Sequence, residues 1–222
     1  MGIITAIDEQ IARHSLLSHP FYQAWTRGEL TAAALKGYAI QYYRHVEAFP
    51  TYLSALHSHT EDAATRRHIL QNLVDEEAGS PNHPELWLQF AEAMGAPADE
   101  VRSAEAWDET RRLVATFCRI CRDASTAEGL VALYSYESQI PAVAASKIDG
   151  LRRFYGIDNP EALAYFVVHE QADREHSAVE RRLLEKHVSA DNAQAAQDAS
   201  ARALDALWEM LSGVCRRHGI VC

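Results

Sequence analysis

The sequence has little that would interrupt a helix. Ten glycines and seven prolines are spread over 222 residues, and most fall between long stretches with apolar residues three or four apart. No run of alternating apolar and polar residues appears, so strands are not expected. An excess of basic charge is also missing. The net charge is -10 with histidine neutral, which argues against a general binder of nucleic acid or of anionic membranes. No apolar run approaches the ~20 residues of a membrane span. The opening MGIITAIDEQ carries Asp8 and Glu9 where a secretory signal would carry basic residues, so no signal peptide is expected. Cysteine is scarce too: Cys118, Cys121, Cys215 and Cys222. The C-x-x-C at Cys118 and Cys121 has no second pair at zinc-site spacing, and reads as two residues on adjacent helix turns. A reducing, cytoplasmic setting is the expectation.

What is present is a 48% hydrophobic chain, long enough for one domain with a sizeable core, spanning residues 1–222. The periodicity predicts helices near residues 3–17, 19–27, 30–58, 61–78, 83–95, 104–123, 126–153, 159–187 and 190–218. The run Ala78-Gly79-Ser80-Pro81-Asn82 stops one helix and starts another, and Asp158-Asn159-Pro160 opens the longest late one. The fold class is all-α, a helical bundle with several long members.

Polar residues stand where the core should be. In YFVVHEQADREHSAVERRLL, His169, Asp173 and His176 are spaced i, i+4, i+7, within about 60° of one another on a helix surface. Tyr165, Val168, Ala172, Val179 and Leu183 lie on one side of this stripe, and Phe166 and Leu184 on the other. Glu170, Arg174, Arg181 and Arg182 point mostly away from it. An ionised Asp and two imidazoles without partners on a buried face would cost several kcal/mol. A metal ion answers that cost; a buried hydrogen-bond network is the alternative. Glu137 repeats the pattern, on a face with Leu130, Leu133, Tyr134, Ile140, Pro141, Ala144 and Ile148. Lys147 and Tyr136 flank that face, and Lys147 is an alternative counter-ion for Glu137. Glu76 follows Ile69 and Leu73 on an apolar stripe from which Asp75 and Glu77 diverge, and His83 stands just past the turn. His57 shares a stripe with Tyr42, Val46, Phe49 and Leu53 and reads as a core histidine or one supporting the site. Three histidines and three carboxylates suit iron or manganese better than zinc or an iron–sulfur cluster. No pair of Glu-x-x-His motifs of the ferritin type occurs.

At these residues the chain resembles the haem-oxygenase-like dimetal oxidases of the CADD-like group, whose fold also contains TenA and PqqC. The shared text is DEEAGSPNHPELW at 75–87, YSYESQIP at 134–141, SKIDGL at 146–151 and HEQADREH at 169–176. The resemblance implies two metal ions, Fe/Fe or Fe/Mn, held by Glu76, His83, Glu137, His169, Asp173 and His176. It implies dioxygen and a reductant as co-substrates, and para-aminobenzoate for folate biosynthesis as product. In that group a tyrosine of the protein supplies the aromatic ring and a lysine the amino group. Tyr22, in SHPFYQAW, matches the sacrificed tyrosine, and Lys147 the amine donor. Tyr38 and Tyr136 match tyrosines near the site, in the place of radical relays. The residues alone show only that Tyr22 lies in an apolar segment, where a core aromatic is the plain reading. A homodimer is an expectation from likeness only. The competing functions are a dimetal oxygenase acting on a diffusible molecule, a metal-free enzyme of the PqqC or TenA kind, and an interaction module.

Overall fold

A computed structural model describes residues 2–221; Met1 and Cys222 lie outside the described residues. Eleven α-helices follow one another among them: α1 (Ile3–Arg13), α2 (Pro20–Arg27), α3 (Ala32–His59), α4 (Ala63–Glu77), α5 (His83–Ala93), α6 (Ala98–Ser103), α7 (Asp108–Asp123), α8 (Thr126–Glu137), α9 (Ile140–Phe154), α10 (Pro160–His187) and α11 (Ala193–His218), with a 3-10 turn at Leu16–Ser18. No strand occurs among the described residues, and none of the helices is long and apolar enough to cross a membrane.

Helix ends follow from local chemistry. Thr31 and Asp62 cap α3 and α4 by accepting from Ala34 N and Thr65 N. Asn82 with Glu85, and Ser125 with Glu128, form reciprocal capping boxes at α5 and α8, each satisfying two otherwise orphaned backbone donors. Gly28 closes α2 in the left-handed region, at φ 69°, where a side chain would be strained.

Several predicted boundaries are corrected. The helix expected over 126–153 is two, broken at Ser138 and Gln139. Pro141 has no N–H to return to the Glu137 carbonyl. The Gln139 amide bridges the break, donating to the Ser135 carbonyl at 2.8 Å and accepting from Leu16 N at 2.8 Å. The helix expected from 104 starts at Asp108, after the separate α6. There Gln41 Oε1 accepts from both Trp107 N and the Thr110 hydroxyl, at 2.9 Å each. The first helix stops at Arg13, and the last begins at Ala193. His57 is half-buried on α3 and joins neither the core nor the candidate site. Val168 is 38% exposed, because it lies one residue outside the stripe that faces inward.

One continuous core draws on helices along the chain, with Trp25, Trp87, Tyr38, Tyr52, Phe117 and Phe166 all but sealed from solvent. Cys118 and Cys121 both lie on α7 as free thiols. α10 packs against α5, α8 and α9, and α3 against α4, α5 and α7. These helices bring the ends of α4 and α8, the start of α5 and the middle of α10 to one interior point.

Candidate metal centre and its aromatic neighbour

Each ligand-type residue is placed by its helix. Asn72 and Glu76 share the inner face of α4 one turn apart. His83 is the first residue of α5, fixed by the Asn82 cap. Glu137 ends α8, and α10 presents His169, Asp173, His176 and Glu180 as one inward stripe.

The six residues gather in two groups, Glu76–His83–His169 and Glu137–Asp173–His176, within each of which one atom per residue lies within 4.8 Å of the others. The imidazoles are aimed. His169 Nδ1 donates to the Tyr165 carbonyl at 2.7 Å, which leaves Nε2 bare and 3.9 Å from Glu76 Oε1. His176 Nε2 donates to Asp75 Oδ2 at 3.1 Å. Its Nδ1 therefore faces Glu137 and Asp173, at 3.6 Å from an oxygen of each. Fixing the outer nitrogen and turning the inner one toward a shared point is how a protein orients histidine for a metal. His83 Nδ1 stands 2.8 Å from Glu76 Oε2 without the alignment of a hydrogen bond. Asp173 Oδ2 and His176 Nδ1 are likewise buried without a hydrogen-bond partner.

Charge is in surplus here. Burial raises the Glu76 carboxyl, against the pull of His83. Burial also lifts Asp173 to about 7, with the charges of Glu137 and Glu76 adding to it and His176 opposing. Glu137, only 1% exposed, is opposed by burial but held below the ordinary carboxylate value by the polar groups of Glu180, His176 and Asn72 around it. The Asn72 amide donates to Glu137 Oε1 at 2.9 Å. Glu180 is pushed well up, first by burial and then by Glu137, so it carries the proton of that pair. His176 is opposed by burial but raised to about 11 by Asp173 and Glu137, so without a metal the cluster holds protons where cations could sit. Its two convergent sets of oxygen and nitrogen donors suit divalent ions of the iron or manganese kind.

Beyond Tyr165 and Tyr136 the surroundings become aromatic. Lys147 on α9 is 4% exposed. Its Nζ donates to the Tyr38 hydroxyl at 2.5 Å and lies 4.9–5.5 Å from the ring centres of Tyr22, Tyr38, Tyr42, Trp87 and Phe166. Among the described residues no carboxylate is within ion-pair reach of Lys147, so it is not the counter-ion of Glu137. Burial alone holds its pKa well below the ordinary lysine value, which favours the neutral amine. The Tyr22 and Tyr38 hydroxyls are 3.4 Å apart. Tyr42 donates to Tyr136 at 3.1 Å, and Tyr136 lines a small space with Glu76, Glu137, His169 and Asp173. Tyr165 stacks on His169 with ring centres 3.9 Å apart.

Residues 36–208 match the family of iron-containing redox enzymes. The chain belongs to that family. It is 44% identical over 209 residues to a 4-aminobenzoate synthase of Chlamydia pneumoniae, covering 94% of this chain and 93% of the relative. A 4-aminobenzoate synthase of Nitrosomonas europaea is 45% identical over 228 residues, covering 97% of this chain and 93% of the relative. A CADD-like structure from Nostoc punctiforme shares the fold, with a TM-score of 0.78 at 14% identity, over 98% of this chain and 99% of that one. The haem-oxygenase-like fold expected from the resemblance is thus the fold of this family member.

Several residues of the site were missed in the sequence. Asn72 and Tyr165 each precede a ligand-type residue by one turn, and Glu180 follows His176 by one turn; that spacing was readable. Tyr42 stands one turn after Tyr38 and was read only as part of an apolar stripe. Asp75 was set aside as diverging from the stripe. It is exposed, yet its side chain reaches His176 from outside.

Proposed function

We propose that this chain is a 4-aminobenzoate-forming oxidase that takes the product's ring from Tyr22 and its nitrogen from Lys147. Glu76, His83 and His169 would hold one metal ion and Glu137, Asp173 and His176 a second, as Fe/Fe or Fe/Mn. When bound, the ions supply the oxidising power of dioxygen, with an external reductant.

The observation that carries this reading is the lack of room for any other substrate. Of the spaces beside the ligand groups, the one with Tyr136 and Tyr165 and the one reaching Lys147 measure about 10 Å³ each, and the cleft at His176 about 60 Å³. All are far below the ~300 Å³ or more of small-molecule pockets. The position an aromatic substrate would take is filled by the protein's own rings. The chain's residues then have distinct tasks. Lys147 keeps an unprotonated nitrogen among rings that exclude water. Tyr38 holds that nitrogen by its hydroxyl, within contact of Tyr22. The Tyr42–Tyr136 hydrogen bond joins this box to the carboxylates, a path for an electron and its proton. To become the product, Tyr22 must lose its Cα–Cβ bond, have Cβ oxidised to a carboxyl and exchange its phenol oxygen, released as water, for the lysine nitrogen, while the Cε–Nζ bond of Lys147 breaks and Cε is left as an aldehyde; dioxygen is the oxidant. Neither residue is restored, so each chain acts once.

The test is reconstitution with iron, or iron and manganese, under anaerobic conditions, then dioxygen and reductant with no added substrate. The expected result is 4-aminobenzoate from the wild type and none from Lys147→Arg, which keeps a cation but lacks a primary amine. Product from Lys147→Arg, or product only when an aromatic precursor is added, would refute the reading.

A further inference from the structure

The two sides of the candidate metal centre are packed differently. Toward Lys147 it is closed by rings. Toward α4 and α10 a cleft of about 60 Å³ opens between α3, α4, α8 and α10. Its walls are hydrocarbon: Leu53, Ile69, Leu130, Leu133, Val179 and Leu183. Its mouth carries the exposed His68 and Gln71. Its floor is Asn72, His176 and Glu180; Asn72 donates to Glu137 Oε1, and His176 Nδ1 stands 3.6 Å from the same oxygen.

We propose that this cleft is the entry and holding site for dioxygen. The proposal takes from the function proposed above only that the centre consumes dioxygen. Three features select this occupant. The volume suits a diatomic gas and is far below the ~300 Å³ of an ordinary ligand pocket. The six wall side chains offer no hydrogen bond, and the polar groups of the lining are confined to the mouth and the floor, so the space between them favours an apolar guest such as dioxygen or xenon over a water, which needs two to four polar partners. The floor lies directly behind Glu137 and includes His176, so a guest in the cleft sits against one of the two ligand groups. The opposite face of Glu137 and Asp173 borders Tyr136 and Tyr165. Oxidant thus arrives on one side while the oxidisable phenols and Lys147 stay sealed on the other.

The test uses the metal-loaded protein and two independent readouts. Oxygen-free crystals pressurised with xenon should show the gas in the cleft of the wild type and not in Val179→Phe. In rapid mixing, the second-order rate of oxidation of the ferrous protein should fall about tenfold, or about 1.4 kcal/mol in barrier, in Val179→Phe and Leu183→Phe. Leu183→Ala should keep or raise that rate, and metal content should stay at the wild-type value throughout. Xenon settling elsewhere in the wild type, or unchanged oxidation rates in the folded narrowed variants, would overturn the proposal. If a variant does not fold, the xenon position in the wild type decides. Both readouts precede product release, so a failure to form 4-aminobenzoate would leave the cleft assignment standing.

Discussion

The carboxylate–imidazole centre and the lysine box lie side by side and treat buried ionisable groups in opposite ways. In the centre, Glu76, Glu137 and Asp173 are crowded together with three histidines, and the outer hydrogen bonds of His169 and His176 turn their inner nitrogens toward the carboxylates. A buried region of this kind tolerates charge only where opposite charge or protons answer it, and its geometry leaves room for cations to do so. In the box, Lys147 meets hydroxyls and ring faces and no carboxylate. That region tolerates the amine only by removing its charge. The function proposed above would draw on both: candidate cation ligands on one side and, on the other, an amine whose burial favours the neutral form.

The comparison breaks most severely at Asp173. Asp173→Ala should lose the metal of its group and all product. It should also lose the stabilisation metal gives the wild type, about 2.7 kcal/mol per site at a hundredfold excess over Kd. Metal analysis together with melting curves with and without metal would show this; an unchanged metal content would contradict it. Lys147→Met should abolish product while leaving metal content alone, and should stabilise the metal-free protein. Its pH signature follows from linkage. The folded pKa of Lys147 lies well below the ordinary 10.5, so between those two values the unfolded chain binds more protons than the folded one. The Lys147 contribution to stability therefore rises with pH across that window, by up to about 1.4 kcal/mol per unit, and levels off above it. Denaturant titrations over alkaline pH should show that slope in the wild type and lose it in Lys147→Met; equal slopes would mean the amine is charged in the fold.

Smaller effects are expected where one region supports the other. Glu180→Leu removes the carboxyl that lowers the Glu137 pKa and should weaken metal binding about tenfold, the lower range for an outer partner of a ligand. Glu180→Gln keeps a donor and should lose less. Equal affinity in both variants would show that Glu180 does not position Glu137. Tyr42→Phe deletes only the donor to Tyr136, a change of about 1 kcal/mol. It should slow product formation and leave metal affinity where it was, and an unaltered rate would remove Tyr42 from the path.

The centre was largely legible in the sequence because its residues recur at helical spacing on apolar faces, a purely local signal. His169, Asp173 and His176 announce themselves this way; Glu137 reads equally well as half of a salt bridge with Lys147, and Glu76 and His83 as an acidic helix end and the turn beyond it, until the resemblance joins them. The box was not legible from composition or spacing. Tyr22 and Lys147 stand on α2 and α9, and only the packing of these helices around α3 brings them together; their selection came from resemblance. The break after Glu137 was hidden for the same reason. Pro141 permits it, but Gln139 stabilises it through a bond to Leu16, far away in the chain. Lys147 could not be told from a counter-ion on the wheel, because a wheel shows a face and not what it meets.

The central claim is that the ring of Tyr22 leaves the protein as product, and isotopic labelling tests it most directly. Protein grown on ring-labelled tyrosine is loaded with metal, reduced and exposed to dioxygen with no other aromatic compound present. The account predicts labelled 4-aminobenzoate, no more than one molecule per chain, with a peptide of altered mass at residue 22. Tyr22→Phe, treated identically, should bind metal and release nothing. Unlabelled product, or repeated turnover with Tyr22 intact, would contradict it.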